Sequence, residues 1–198
     1  SAGAAETLLH MVSDGELSLA ETITDNDESI HLIGSFSGKL TVGFLEIESA
    51  GKSDLVIISW SKDGDLLNLQ RIGGAGDEVA TSASYSNGAI ILGGYFSDSF
   101  DYGNSPQVSG GGTDGFVMSI SALNFNQVNW FMPLTGPADE FVRSLDAGSD
   151  GSLFFAGSFE GTGSFGGVEV VSLGLSDAIV GKLKSDGQVD YLKTGRGV

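Results

Sequence analysis

Apolar and polar residues fall into four kinds of run along this chain, and the four recur in the same order three times. The first kind alternates: Leu17 to Ile23, Val79 to Tyr85 and Phe141 to Ala147. Alternation with small and β-branched residues predicts a strand with one face in a core. Turn residues follow, at Asp25-Asn26-Asp27, Ser86-Asn87-Gly88 and Ser149-Asp150-Gly151. Asn and Gly accept the positive φ of a tight hairpin. The second kind is almost entirely apolar: Ile30 to Phe36, Ala89 to Phe96 and Leu153 to Phe159. A continuous apolar run predicts a strand covered on both faces, so other sheets must lie against it. A glycine-rich loop then leads to a third strand starting at Asp54, Asp114 and Asp177, and a further turn leads to a fourth. The fourth strands span Leu66 to Ile72, Val128 to Leu134 and Val189 to Thr194. No segment carries a helical period of useful length.

A fixed spacing ties the copies together. Gly34-Ser35-Phe36, Gly94-Tyr95-Phe96 and Gly157-Ser158-Phe159 each begin 20 residues before the Asp of the third strand. A second glycine, Gly43, Gly103 or Gly166, lies 11 residues before that Asp. Such agreement in three places defines a repeat protein. The copies run over about 14–73, 74–136 and 137–197, within one repeat domain spanning 1–198. Glu16, Glu78 and Glu140 are 62 residues apart and take matching places in this alignment. The short run at 7–12 aligns as the last strand of a preceding unit. Four antiparallel strands per unit, with apolar faces on both sides, describe a β-propeller blade. The expected fold is thus an all-β, propeller-like array of four-stranded blades, with a β-sandwich as the alternative. Closed propellers usually need at least four blades. Three copies therefore suggest an excerpt of a longer array, or a homodimer pooling six.

The order of glycine-rich acidic junction, Asn-Gly or Asp-Gly turn, Gly-Ser-Phe, Phe-Gly, Ser-Asp and final Asp-Gly resembles the bacterial β-propeller repeats called SBBP repeats. The resemblance spans nearly all of residues 8–197, and the first copy departs most, with Asp25-Asn26-Asp27-Glu28 at its first turn. It implies a secreted or surface-anchored repeat protein and supplies no catalytic signature.

Composition narrows the partners. A net charge of −17 disfavours nucleic acid and anionic membrane surfaces, which call for Lys and Arg, and favours cations as ligands. The absence of cysteine excludes disulfides and thiolate metal sites. No apolar run approaches the ~18 residues of a spanning helix, so direct membrane insertion is not expected.

Internal recurrence also sorts the candidate chemistry. A residue repeated in every unit is most simply structural, whereas a functional one can break the pattern. By that test Phe36, Phe96 and Phe159 are core, and Asp54, Asp114 and Asp177 are carboxylates accepting backbone N–H bonds at a loop-to-strand junction. Six acidic residues at the junctions stand out: Asp14, Glu16, Asp77, Glu78, Asp139 and Glu140. Gathered at one end of a propeller they would form a carboxylate ring, with hard oxygen ligands suited to Ca²⁺ or Mg²⁺. The alternative is that each caps its own turn. Asp25 to Glu28 and Asp63-Gly64-Asp65 lack the spacing of an EF-hand and read as hairpin turns. His10 and His31 lie in apolar strand contexts, as satisfied structural histidines. No Gly-x-Ser-x-Gly element accompanies a triad. Gly110-Gly111-Gly112 lacks the Lys and helix of a phosphate loop. Trp130 and Tyr191 occupy matching places, and Trp60 replaces Ile120 and Leu183; all three read as packing.

The expectation is a non-catalytic extracellular module, at the bacterial cell surface, recognising glycan, matrix or protein. Self-association through blade edges is a further expected contact. A polysaccharide-active enzyme and a structural spacer or fibre subunit are the alternatives.

Overall fold

The computed structural model describes residues 10–103 and 106–195, and every regular element in it is a strand. In chain order these are β1 (Met11–Ser13), β2 (Leu17–Thr24), β3 (Ile30–Phe36), β4 (Lys39–Val42), β5 (Leu45–Glu48), β6 (Asp54–Trp60) and β7 (Leu66–Ile72). The second repeat supplies β8 (Glu78–Ser86), β9 (Ala89–Phe100), β10 (Gln107–Ser121) and β11 (Val128–Thr135). The third supplies β12 (Glu140–Ala147), β13 (Leu153–Phe159), β14 (Thr162–Phe165), β15 (Val168–Val171), β16 (Asp177–Leu183) and β17 (Val189–Thr194). All ladders between these strands are antiparallel. The four recurring runs pair sequentially in every repeat, as β2-β3-β6-β7, β8-β9-β10-β11 and β12-β13-β16-β17.

The glycine-rich segment departs from the expected loop. In the first and third repeats it folds as a small hairpin, β4-β5 or β14-β15, and in the second it lengthens β9 and β10. The hairpin turns on Gly43 and Gly166, with φ of 61° and 57°, while Gly103 has φ of 96°; a side chain is strained in that region. Hairpin β14-β15 docks on β11, with Leu134 opposite Phe165, so the middle sheet has six strands rather than four. Strand β1 meets β4 the same way, with Met11 opposite Val42. Residues 11–13 thus take the place a preceding fourth strand would fill; 7–9 and 196–198 lie outside the described residues.

The Gly of the Gly-(Ser/Tyr)-Phe motif has a steric cause. Each first strand carries a register shift, between Leu19 and Glu21, Ala80 and Ser82, and Val142 and Ser144. The shift brings the two backbones close, and a Cβ on Gly34, Gly94 or Gly157 would run into the carbonyl oxygen of Ser18, Val79 or Phe141. The following Phe is core in all three repeats: Phe36 is 1% exposed, Phe96 and Phe159 0%.

Successive sheets pack face to face. Ile33, Leu55 and Ile57 of the first meet Leu92, Phe96 and Phe116 of the second. Ile91, Val117 and Leu134 of the second meet Val142, Phe155 and Phe159 of the third. This two-sided cover accounts for the unbroken apolar run of β9. The three first strands lie alongside one another: Thr81 Oγ1 of β8 donates to Val142 O of β12 (2.8 Å), and Ala80 N of β8 also donates to Ser35 Oγ of β3 (2.8 Å). The far face of the third sheet stays open, with Phe154, Val180 and Tyr191 partly exposed.

Candidate functional site

The ladder corrects the sequence alignment at one point that matters for the site. Phe96 pairs with Glu78 and Phe159 with Glu140, but Phe36 pairs with Leu17 rather than Glu16. Glu16 instead matches Asp77. The backbone N–H of each donates to a serine hydroxyl, Ser37 or Ser97, and its carbonyl accepts from that serine's N–H.

With the register fixed, the six acidic junction residues fall into three groups. Asp77 and Glu78 are neighbours on an extended chain and must point opposite ways. Asp77 turns outward, and Glu78 turns into the space between repeats, where it is 0% exposed. Glu140 is buried in the same way, while Asp139 stays at the junction and accepts Thr113 N (2.9 Å). Asp14 accepts Lys39 N (2.6 Å), and Glu16 is exposed. Among the described residues no three His, Asp or Glu side chains gather where they could hold a metal ion. The carboxylate ring is therefore replaced by turn caps, outward carboxylates and two buried glutamates.

Each buried Glu meets the recurring Asp of the preceding repeat. Asp54, Asp114 and Asp177 do accept the backbone N–H four residues earlier, at 2.7, 2.9 and 2.9 Å, as expected from their position. Asp54 and Asp114 also abut Glu78 and Glu140. Arg71 Nη1 reaches Asp54 Oδ2 at 2.7 Å and offsets charge in the first pair. Pro133 occupies Arg71's place in the second repeat, so the Asp114–Glu140 pair has no such cation. Burial, then the neighbouring Asp charge, pushes Glu140 up to about 8. Burial pushes Glu78 up to about 8 as well, opposed by the Gly74 N–H and reinforced by Asp54. Asp114 is also raised by burial. Burial beside Asp114 favours a neutral Glu140, which leaves the pair with one negative charge instead of two like charges in contact.

His31, expected to be structural, has both ring nitrogens partnered: Nδ1 to Ser59 Oγ (2.8 Å) and Nε2 to Asp25 Oδ2 (3.2 Å). The set has the residue types of a hydrolytic triad. Ser59 is 0% exposed and His31 2%, so no acyl group can reach the hydroxyl. Asp25 meanwhile accepts Asp27 N and Ser29 N, closing the first hairpin turn. His10 is exposed. Trp130 is packed as expected against the last turn of the third repeat, its Nε1 donating to Ser185 O (3.2 Å). Trp60 packs on the outer side of the first sheet, and Tyr191 remains partly exposed.

A recess of about 380 Å³ lies at the boundary of the first and second repeats. Its existence follows from one cross-strand pair. The pair is Ser18–Ser35 in the first repeat, Val79–Tyr95 in the second and Phe141–Ser158 in the third. Between the second and third repeats the rings of Tyr95 and Phe141 meet edge to face at 5.0 Å and fill the space. Between the first and second, two serines face the wall and leave it open. Ser35, Ser37 and Ser97 hydroxyls each accept a backbone N–H there, which fixes their rotamers and leaves each O–H free to donate. Lys52 Nζ stands 3.5 Å from Asp77 Oδ2 at the rim, beside Glu16, and Tyr95 adds an aromatic edge. The sequence reading singled out Glu16 and Asp77 here for a different role and missed Ser18, Ser35 and Lys52. The substitution of Tyr95 for a recurring serine was the visible signal.

No protein-family model matches the chain, and no curated protein matches it.

Proposed function

We propose that the chain is a non-catalytic recognition module, an arc of propeller blades displayed by a secreted or surface-anchored bacterial protein of the SBBP type. The observation that carries this reading is the recess between the first two repeats. It lies where the repeats differ, on strands whose framework positions agree. Three stacked four-stranded units in one sequential order support the blade interpretation. Burial favours binding over turnover at two clusters: the Asp54–Glu78 and Asp114–Glu140 pairs are out of solvent, as are Ser59 and His31. The test is to immobilise the purified chain and pass bacterial and plant polysaccharides and extracellular-matrix proteins over it, assaying released reducing ends in parallel. Saturable binding without release is the expected result. Release of reducing ends would replace recognition by catalysis, and absence of any binding would leave a structural spacer.

A further inference from the structure

We propose that the recess between the first and second repeats binds an uncharged sugar unit, through the hydroxyls of Ser35, Ser37 and Ser97 and the Lys52–Asp77 pair. This deepens the recognition reading and rests on it.

The polar inventory sets the ligand class. A sugar hydroxyl both donates and accepts, so its site needs donors and acceptors interleaved at short range. The three serine hydroxyls have spent an acceptor lone pair on backbone N–H groups and offer O–H donors. Asp77 and Glu16 offer carboxylate acceptors, and Lys52 offers ammonium donors. A hydrogen bond with one charged partner is the stronger kind, and a neutral polyol collects several at no cost in burying its own charge. One cation against two anions disfavours a polyanion, as does the net −17 of the chain. Tyr95 supplies apolar contact for the C–H groups of a ring. The volume, about 380 Å³, lies at the lower end of the range for small-ligand sites, about 300–1,000 Å³.

Preorganisation favours the site as well. Every hydroxyl named sits on or beside a strand and is held by a backbone bond, so little rotamer freedom remains to be lost on binding.

The repeats themselves provide the control. Ser35→Tyr installs the second repeat's residue in the first and fills the recess. Lys52→Ala and Asp77→Asn alter partly exposed rim side chains with little threat to folding. Amide chemical shifts of the ¹⁵N-labelled chain would be followed while cellobiose, maltose, diacetylchitobiose or digalacturonate is added. Expected are saturable shifts at Ser35, Ser97 and Tyr95 with at least one neutral disaccharide. Asp77→Asn should weaken that binding about tenfold, and Ser35→Tyr should abolish it. Binding of digalacturonate alone, or no shifts at the recess with any disaccharide, overturns the proposal. If a polysaccharide or matrix protein binds the three variants as well as the parent chain, this site is wrong and the recognition reading stands. If nothing binds the chain at all, both fall.

Discussion

Replacing Glu140 by Gln isolates the energetics of a buried proton. Glu140 is 0% exposed, faces Asp114 without a compensating Arg, and is pushed up to about 8 from an ordinary 4.5. The charged groups around it are Asp114, Asp139 and Glu160, all acidic. Between the two pKa values the folded chain holds a proton that the unfolded chain has released. Stability therefore falls as pH rises through that window and levels off above about pH 8. Each pH unit is worth about 1.4 kcal/mol, which bounds the loss at about 5 kcal/mol. Water entry and relaxation around the charge reduce it to about 2–3 kcal/mol. Gln has nearly the same shape and is neutral at every pH, so it removes the titration. Urea unfolding at about pH 5, 7 and 9 should find Glu140→Gln within about 1 kcal/mol of the parent at the acidic end. The variant should be more stable by about 2 kcal/mol or more at the alkaline end. A stability difference independent of pH would refute a neutral Glu140 and require another source of neutralisation beside Asp114.

Phe96→Ala should cost about 3–5 kcal/mol, because the ring is 0% exposed among Phe100, Phe116 and Phe131; a loss under about 1 kcal/mol would remove it from the core. Arg71→Ala strips the cation from Asp54, which is 0% exposed beside Glu78, and should cost about 2–3 kcal/mol by chemical denaturation. Millimolar Ca²⁺ should shift the melting temperature no more than salt of matched ionic strength, since the junction carboxylates are dispersed; melting that responds to chelator would reinstate a cation site.

Much of the architecture was legible because strand signals are local. Alternation in Leu17 to Ile23 and its counterparts, the Asn87-Gly88 turn and the apolar run of β9 each depend on a few adjacent residues. The same holds for Asp54, Asp114 and Asp177, whose backbone partners lie four residues away. The small hairpins were also written in the chain. Lys39 to Val42 and Leu45 to Glu48 alternate around Gly43, but glycine density there read as a loop.

What the sequence determined by itself, then, was the all-strand character, the threefold repeat and the residues that close turns or fill the core. Tertiary structure alone decided the fate of the acidic residues. Asp77 and Glu78 are indistinguishable in sequence, and only the repeat that covers one face of β8 sends one carboxylate to solvent and the other to Asp54. It also set the first repeat's register, placing Leu17 rather than Glu16 opposite Phe36, since pairing is fixed by the neighbouring strand. The recess has the same origin. Ser18 and Ser35 are unremarkable small residues on one sheet, and they become the wall of a cavity because the next sheet stacks against them without the Tyr95–Phe141 contact that closes the second boundary.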